Sequence, residues 1–362
     1  MNGSNNMSKA FLGAAAAALI GVAVFTVGAS VTPEQPQALQ SQRFLSESDK
    51  ANRLFDEIFD RRVARDPEYQ TYLGIKTDYD KWTDLSEAHA ETELAHTKSD
   101  LASLAQIDTE QLDATARLSY QLMLQDLERR IADHQWRHHN YPVNQMFGVH
   151  SKVPAFLINQ HRIDSIADAE AYVSRLEGVH GHIGQLITQL KLREEKGVIA
   201  PDFVLPHVIR DSRNLLVGAP FDGGEPSTLL ADFNAKIATL DISQTQRSRL
   251  HRDAEMALLS RVQPAYLDLI SYLEGLQAKA THEAGVWKLP QGKAFYENRL
   301  ARITTTDLSA EQIHTIGLTE VARIHDEMRA IAKQVGFEGD LQAFMRFMRE
   351  DQRFYLPSNE QG

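Results

Sequence analysis

Beyond its amino-terminal segment the chain repeats one pattern: apolar residues recur at spacings of three and four, with polar residues between them. That period places one stripe of each helix in a core and the other faces in water. Leu54/Phe55, Ile58/Phe59 and Val63 carry it first, and Leu118, Leu122, Leu127 and Ile131 carry it around 110–134. No alternating run bounded by turn residues is long enough for a strand. The pattern predicts an all-α fold, a multi-helix array. Helix starts are marked by Ser165 with Asp168, Ser243 with Gln246 and Ser309 with Gln312. In that spacing a hydroxyl accepts one free backbone N–H and the later side chain reaches back to another. Pro201 and Pro226 suit first-turn positions, where a missing N–H costs nothing. Residues 243–279 read as one long helix that Pro264 kinks near Arg261.

Three stretches lack helical period and read as loops: Asn140–Ile163, Gly218–Pro226 and Thr281–Gly292. Long loops on a helical scaffold are where binding concentrates. The segment Ala310–Gln334 predicts a helix with a buried stripe of Ile313, Ile316, Val321, Ile324, Met328 and Ile331. His314 and His325, eleven apart, share one edge of it with Leu318. That edge reads either as the wall of a cleft or, more plainly, as two partly exposed histidines beside the core.

The amino terminus is different material. Lys9 precedes an apolar run from Ala10 to Val27, and Val27-Gly28-Ala29 offers small residues to a signal peptidase. Residues 1–29 read as a signal peptide. The competing reading is an uncleaved anchor, since the run at 10–27 approaches the length of a membrane span. Both export the remainder, to the periplasm or extracellular space, because the leading charge stays inside. Residues 30–45 form a Pro- and Gln-containing linker, and 46–362 a helical domain.

Composition narrows the chemistry. The chain of 362 residues has no cysteine and a net charge of -11. Disulfides, thiolate metal sites and a cysteine nucleophile are excluded. An acidic surface does not suit nucleic acid, which needs a cationic footprint. His134 and His138 stand four apart, as zinc-helix histidines do, but Gln135 occupies the place of the general-base Glu and no third ligand accompanies them. His180 and His182 point to different sides of a helix. His282-Glu283 is followed by Val286 where a zinc motif needs its second His. There is no G-x-S-x-G elbow, and the glycines around Lys293 have the wrong spacing for a phosphate loop. Gly178, Gly181 and Gly184 recur within a helix and suit close packing.

The text from Phe295 continues Tyr296, then Thr304-Thr305-Thr306, Leu308-Ser309, Glu311, Ile313-His314, Gly317-Leu318 and Glu320-Val321. It resembles the bacterial family called domain of unknown function 885. Pro142–Gly148 (PVNQMFG), Ala167–Leu176 (ADAEAYVSRL), Gly285–Gly292 (GVWKLPQG) and Tyr72–Asp84 also resemble that family's motifs, in its order.

The family is similar to all-helical zinc peptidases, is usually exported, and includes lipoproteins. The resemblance implies a zinc site for full-length relatives, on a His-Glu element downstream of the Thr304–Thr306 block. This chain reaches Gly362 without that element. The expectation is therefore an exported, amino-terminal, truncated or split portion of a peptidase-like protein. On this expectation no catalytic residue, metal or cofactor is assigned to the chain, and zinc belongs to full-length relatives. The alternative is a self-sufficient periplasmic scaffold or peptide-binding module. The resemblance implies Asn144, Gln145, Tyr296, Thr305 and His314 as substrate-binding residues. It implies a peptide substrate and a separate carboxy-terminal half as partners, with no nucleic acid and with membrane contact only through an uncleaved leader.

Overall fold

The computed structural model describes residues 45–360 and 362. The signal peptide expected at 1–29 and all but the last residue of the expected linker lie outside the described residues. In chain order the helices are α1 (Glu47–Ala64), α2 (Pro67–Tyr72), α3 (Glu87–Leu104), α4 (Ala114–Asp133), α5 (Val149–Asn159), α6 (Ile166–Glu195), α7 (Leu205–Asn214), α8 (Thr228–Ala238), α9 (Gln244–Ala257), α10 (Gln263–Gln277), α11 (Gly292–Thr304), α12 (Ala310–Gln334) and α13 (Leu341–Glu350). No strand occurs among the described residues; two isolated bridges, Val143–Gly148 and Ala219–Pro226, close loops. The fold is all-α.

The expected capping boxes form at Ser243/Gln246 and Ser309/Gln312. Ser165 also caps its helix, but the Asp168 carboxylate reaches the Asp164 amide (3.0 Å) and Lys76 (2.9 Å) instead of closing a box. Pro201 and Pro226 lie just outside α7 and α8, and Pro206 takes the first-turn position of α7.

Helix α6 is the spine. Tyr172, Leu176, Val179, Ile183, Leu186 and Leu190 are buried at spacings of three and four against α5, α9 and α10. Each such side chain contributes about 1.5–3 kcal/mol of transfer free energy. Gly178 permits close approach there, since a Cβ would lie 3.0 Å from the Trp82 ring; Gly181 and Gly184 face open space. A smaller cluster of Ala51, Leu112 and Ala116 joins α1 to α4.

Two prolines have opposite outcomes. The kink expected near Arg261 is a π-helical turn at Leu258–Val262. Pro264 has no N–H for the Ser260 carbonyl, and widening the turn takes up that defect. Pro154, by contrast, sits inside α5, within the stretch read as loop. It leaves the His150 carbonyl without a helical donor. The buried hydroxyl of Tyr266 on α10 donates to that carbonyl at 2.7 Å. At the other end of α5, the Lys236 ammonium donates to the carbonyls of Leu157 (2.7 Å) and Ile158 (2.8 Å). A cation there complements the negative end of the helix dipole. A long-range hydroxyl and ammonium thus replace what local pattern could not supply.

The stripe of α12 does not enter the core. Of the α12 side chains only Ala332 is buried among the described residues. Leu118 and Leu122 on α4 are exposed as well, while Leu127 is buried.

The segment between α2 and α3 is fastened to α6 by Arg175, whose side chain is wholly buried. Its Nε donates to the Lys81 carbonyl (3.1 Å), Nη2 to the Thr71 hydroxyl (2.8 Å) and Nη1 to His161 Nδ1 (3.0 Å). The rings of Phe156, Tyr79 and Trp82 lie against the guanidinium. Burial lowers its pKa to about 10. His161 Nε2 donates to the Asp168 carbonyl (2.9 Å), so Nδ1 is the unprotonated acceptor and the ring is neutral.

Candidate functional site

The family-like loop PVNQMFG folds into a closed turn. Asn144 N–H donates to the Phe147 carbonyl, and its Oδ1 accepts from the amides of Met146 and Phe147, all at 2.8 Å. Gly148 ends the turn at φ 151°, where a Cβ would lie 2.7 Å from the Val143 Cα. Only glycine fits there. This geometry pushes Met146 and Phe147 outward, at 70% and 69% exposure.

Beneath the turn lies a cavity of about 750 Å³. Tyr141, Pro142, Phe147, Val149 and Leu186 supply apolar wall, and Lys152, Gln189 and Arg193 supply polar groups. The Arg193 guanidinium is saturated. It donates to the carbonyls of Asn140 (3.1 Å), Arg137 (2.9 Å) and Gln189 (3.0 Å), and to the side-chain oxygens of Asn140 (2.9 Å) and Gln189 (2.7 Å). Gln189 in turn donates to Glu87 (3.0 Å). Burial pushes the Glu87 carboxyl up, but His138, Gln189 and Arg137 outweigh it and hold it at about 2. Desolvation keeps His138 below the usual histidine range, so a neutral ring donates to an ionised carboxylate at 2.9 Å. Lys152 stands half-exposed at the rim, 2.9 Å from the buried Glu68 carboxylate. The Ser151 hydroxyl donates to the Gly148 carbonyl. The polar groups here are engaged with the protein, and no nucleophile with an adjacent free base faces the cavity. The arrangement suits binding by apolar burial.

The sequence-predicted residues are dispersed. Asn144 spends its side chain on the turn, and Gln145 is exposed at its tip. Tyr296 is exposed on α11. Thr305 ends α11 at φ 54° and lines a separate cavity of about 440 Å³ against α4, where Arg302 pairs with Asp133 at 2.6 Å. His314 is exposed on α12. Neither cavity is lined by Tyr296 or His314. Sequence reasoning missed Lys152, Gln189 and Arg193; the available signal was the four-residue spacing of Gln189 and Arg193 on one face of α6.

His134 and His138 do not form a metal pair. His134 begins a 3₁₀ turn after α4. The two rings bond Glu91 and Glu87, which stand four apart on α3, each at 2.9 Å. Among the described residues no group of three or more His, Asp or Glu converges as a metal site. The residues present therefore do not fit the zinc implied for longer relatives, and no step is drawn through it. Among the described residues no helix is long and apolar enough to cross a membrane.

These features define an all-helical scaffold with an apolar cavity beneath a glycine-terminated turn. The chain belongs to the family described as bacterial protein of unknown function (DUF885), whose profile matches residues 67–362. Two solved structures share the fold. A presumed lipoprotein from Colwellia psychrerythraea superposes with a TM-score of 0.73 at 21% identity, over 87% of this chain and 56% of that one. A presumed lipoprotein of unknown function from Shewanella oneidensis gives 0.57 at 15% identity, over 87% of this chain and 50% of that one. The chain thus spans about half the length of either. No curated protein matches it.

Proposed function

We propose that this chain is the exported, peptide-binding scaffold portion of a peptidase-like protein of the DUF885 family, with the catalytic groups carried by polypeptide other than the described residues. The observation that carries the reading is the apolar cavity beneath the Met146–Phe147 turn, walled by Tyr141, Pro142 and Leu186. Its size falls in the range of ligand pockets, and its open, apolar wall suits side chains of an extended peptide. Asn144 serves this function by holding the turn, and Gln145 at its tip offers a side-chain amide to a peptide backbone. Tyr296, Thr305 and His314 lie apart from this cavity and would meet a peptide only beyond it, where further polypeptide covers α11 and α12. The lipoprotein descriptions of the two structural neighbours support export.

Fluorescence anisotropy with labelled peptides rich in Leu and Phe tests the reading. Binding is expected, weakened about tenfold by Phe147→Glu, which corresponds to about 1.4 kcal/mol. Phe147 is exposed, so the variant's thermal unfolding should match the parent's. Absence of peptide binding, or tight stoichiometric zinc with peptide cleavage by the chain alone, would overturn the proposal.

A further inference from the structure

The helix α12 presents an apolar stripe that the described residues leave open. Ile316, Val321, Ile324 and Ile331 are 51%, 50%, 43% and 52% exposed, and Ile313 and Met328 beside them are only partly covered. Their spacing puts all six on one face along a helix of about 37 Å at 1.5 Å per residue. The helix is anchored near its end, where α13 packs against it and Phe337, Phe344 and Phe347 cluster beyond Ala332. One edge of the stripe carries the Glu320–Arg323–Glu327 ion pairs, and helical spacing puts His314 and His325 on the other. An apolar face rimmed by charge along a whole helix is the form of a helix–helix interface, not of a free surface.

We infer that the α12 stripe is the docking face for a helical polypeptide supplying the part of the family fold that this chain does not span. The argument is one of length: the structural neighbours match over most of this chain, yet only about half of each neighbour is accounted for. The occupant is an amphipathic helix whose own stripe of Leu, Ile or Val interleaves with these residues at helix-packing distance. This rests on the scaffold reading above and names the surface through which that scaffold would meet its remainder.

The test uses the whole chain. It is co-expressed with the portion of each neighbour that it does not match, and complexes are sized by light scattering after gel filtration. A 1:1 complex with at least one of the two is expected. Ile316→Glu with Ile324→Glu should abolish it while leaving the chain's own thermal unfolding unchanged. No complex with either portion, or a homodimer that the double substitution dissociates, would overturn the inference. Peptide anisotropy is run in parallel: retained peptide binding without a complex overturns this inference alone, and loss of both overturns the scaffold reading as well.

Discussion

Acid should loosen this fold through His161 before its carboxylates protonate. The ring is buried between Tyr79 and Tyr172, donates Nε2–H to the Asp168 carbonyl and accepts from Arg175 at Nδ1. A proton on Nδ1 would break the Arg175 bond and set two cations face to face in a buried site. Burial first, and the Arg175 charge with it, lowers this pKa from 6.5 to about 3. The folded state therefore binds the proton more weakly than the unfolded state. Its contribution is complete above pH 6.5, falls as pH drops below that, and levels off only below the folded value. Each pH unit in that window costs about 1.4 kcal/mol, so at about pH 4.5 the loss from His161 alone is about 2–3 kcal/mol. That is a sizeable part of the ~5–15 kcal/mol that stabilises a typical domain. The assay is urea unfolding followed by circular dichroism, from about pH 7.5 to about pH 4.5, on the parent and on His161→Gln. Gln offers an acceptor and a donor but does not titrate. Whatever its starting stability, the variant should lose about 2–3 kcal/mol less than the parent over that interval. Parallel curves for the two proteins would refute the reasoning.

Two further outcomes follow from buried groups. Arg175→Met should cost about 3–5 kcal/mol in urea unfolding, because the Lys81 carbonyl, the Thr71 hydroxyl and His161 lose their partner together. Arg175→Lys should recover only a minor part, since an ammonium cannot reproduce the planar fork; full rescue by Lys would contradict this. Tyr266→Phe should cost about 1–3 kcal/mol by leaving the His150 carbonyl unsatisfied. In the Phe variant, Pro154→Ala supplies the missing N–H. A double-mutant cycle should therefore show coupling of about 1 kcal/mol or more, and additive effects would dismiss the compensation.

Much of the fold was legible in sequence because its determinants are local. Ser243 with Gln246 and Ser309 with Gln312 announce helix starts within four residues. Pro264 marks its π-turn from within the same helix. Helix α5 was not legible, since Pro154 is tolerated only through a tyrosine far along the chain. The stripe of α12 was read correctly as apolar and wrongly as buried. Period reports that a face wants a partner, not where that partner comes from. The site was legible at its turn and not at its floor. Asn144 and Gly148 belong to one short motif, whereas Arg193 acquires its meaning from the carbonyls of Asn140 and Arg137, which only folding brings near.

The partners of Arg175 set how the molecule meets ionic strength. Helix α1 is tied to α3 and α4 by charge pairs with at least one partly exposed member: Arg61 with the buried Asp100, Arg65 with Glu93 and Arg62 with Asp126. Mobile ions weaken such ties. Arg175 holds its segment through carbonyls, a hydroxyl, an imidazole and three ring faces, with no carboxylate among its hydrogen-bond partners. In brine the outer helices would slacken while the clasp on α6 stayed shut, so the scaffold has a soft margin and a hard centre, graded by the kind of group that meets each cation.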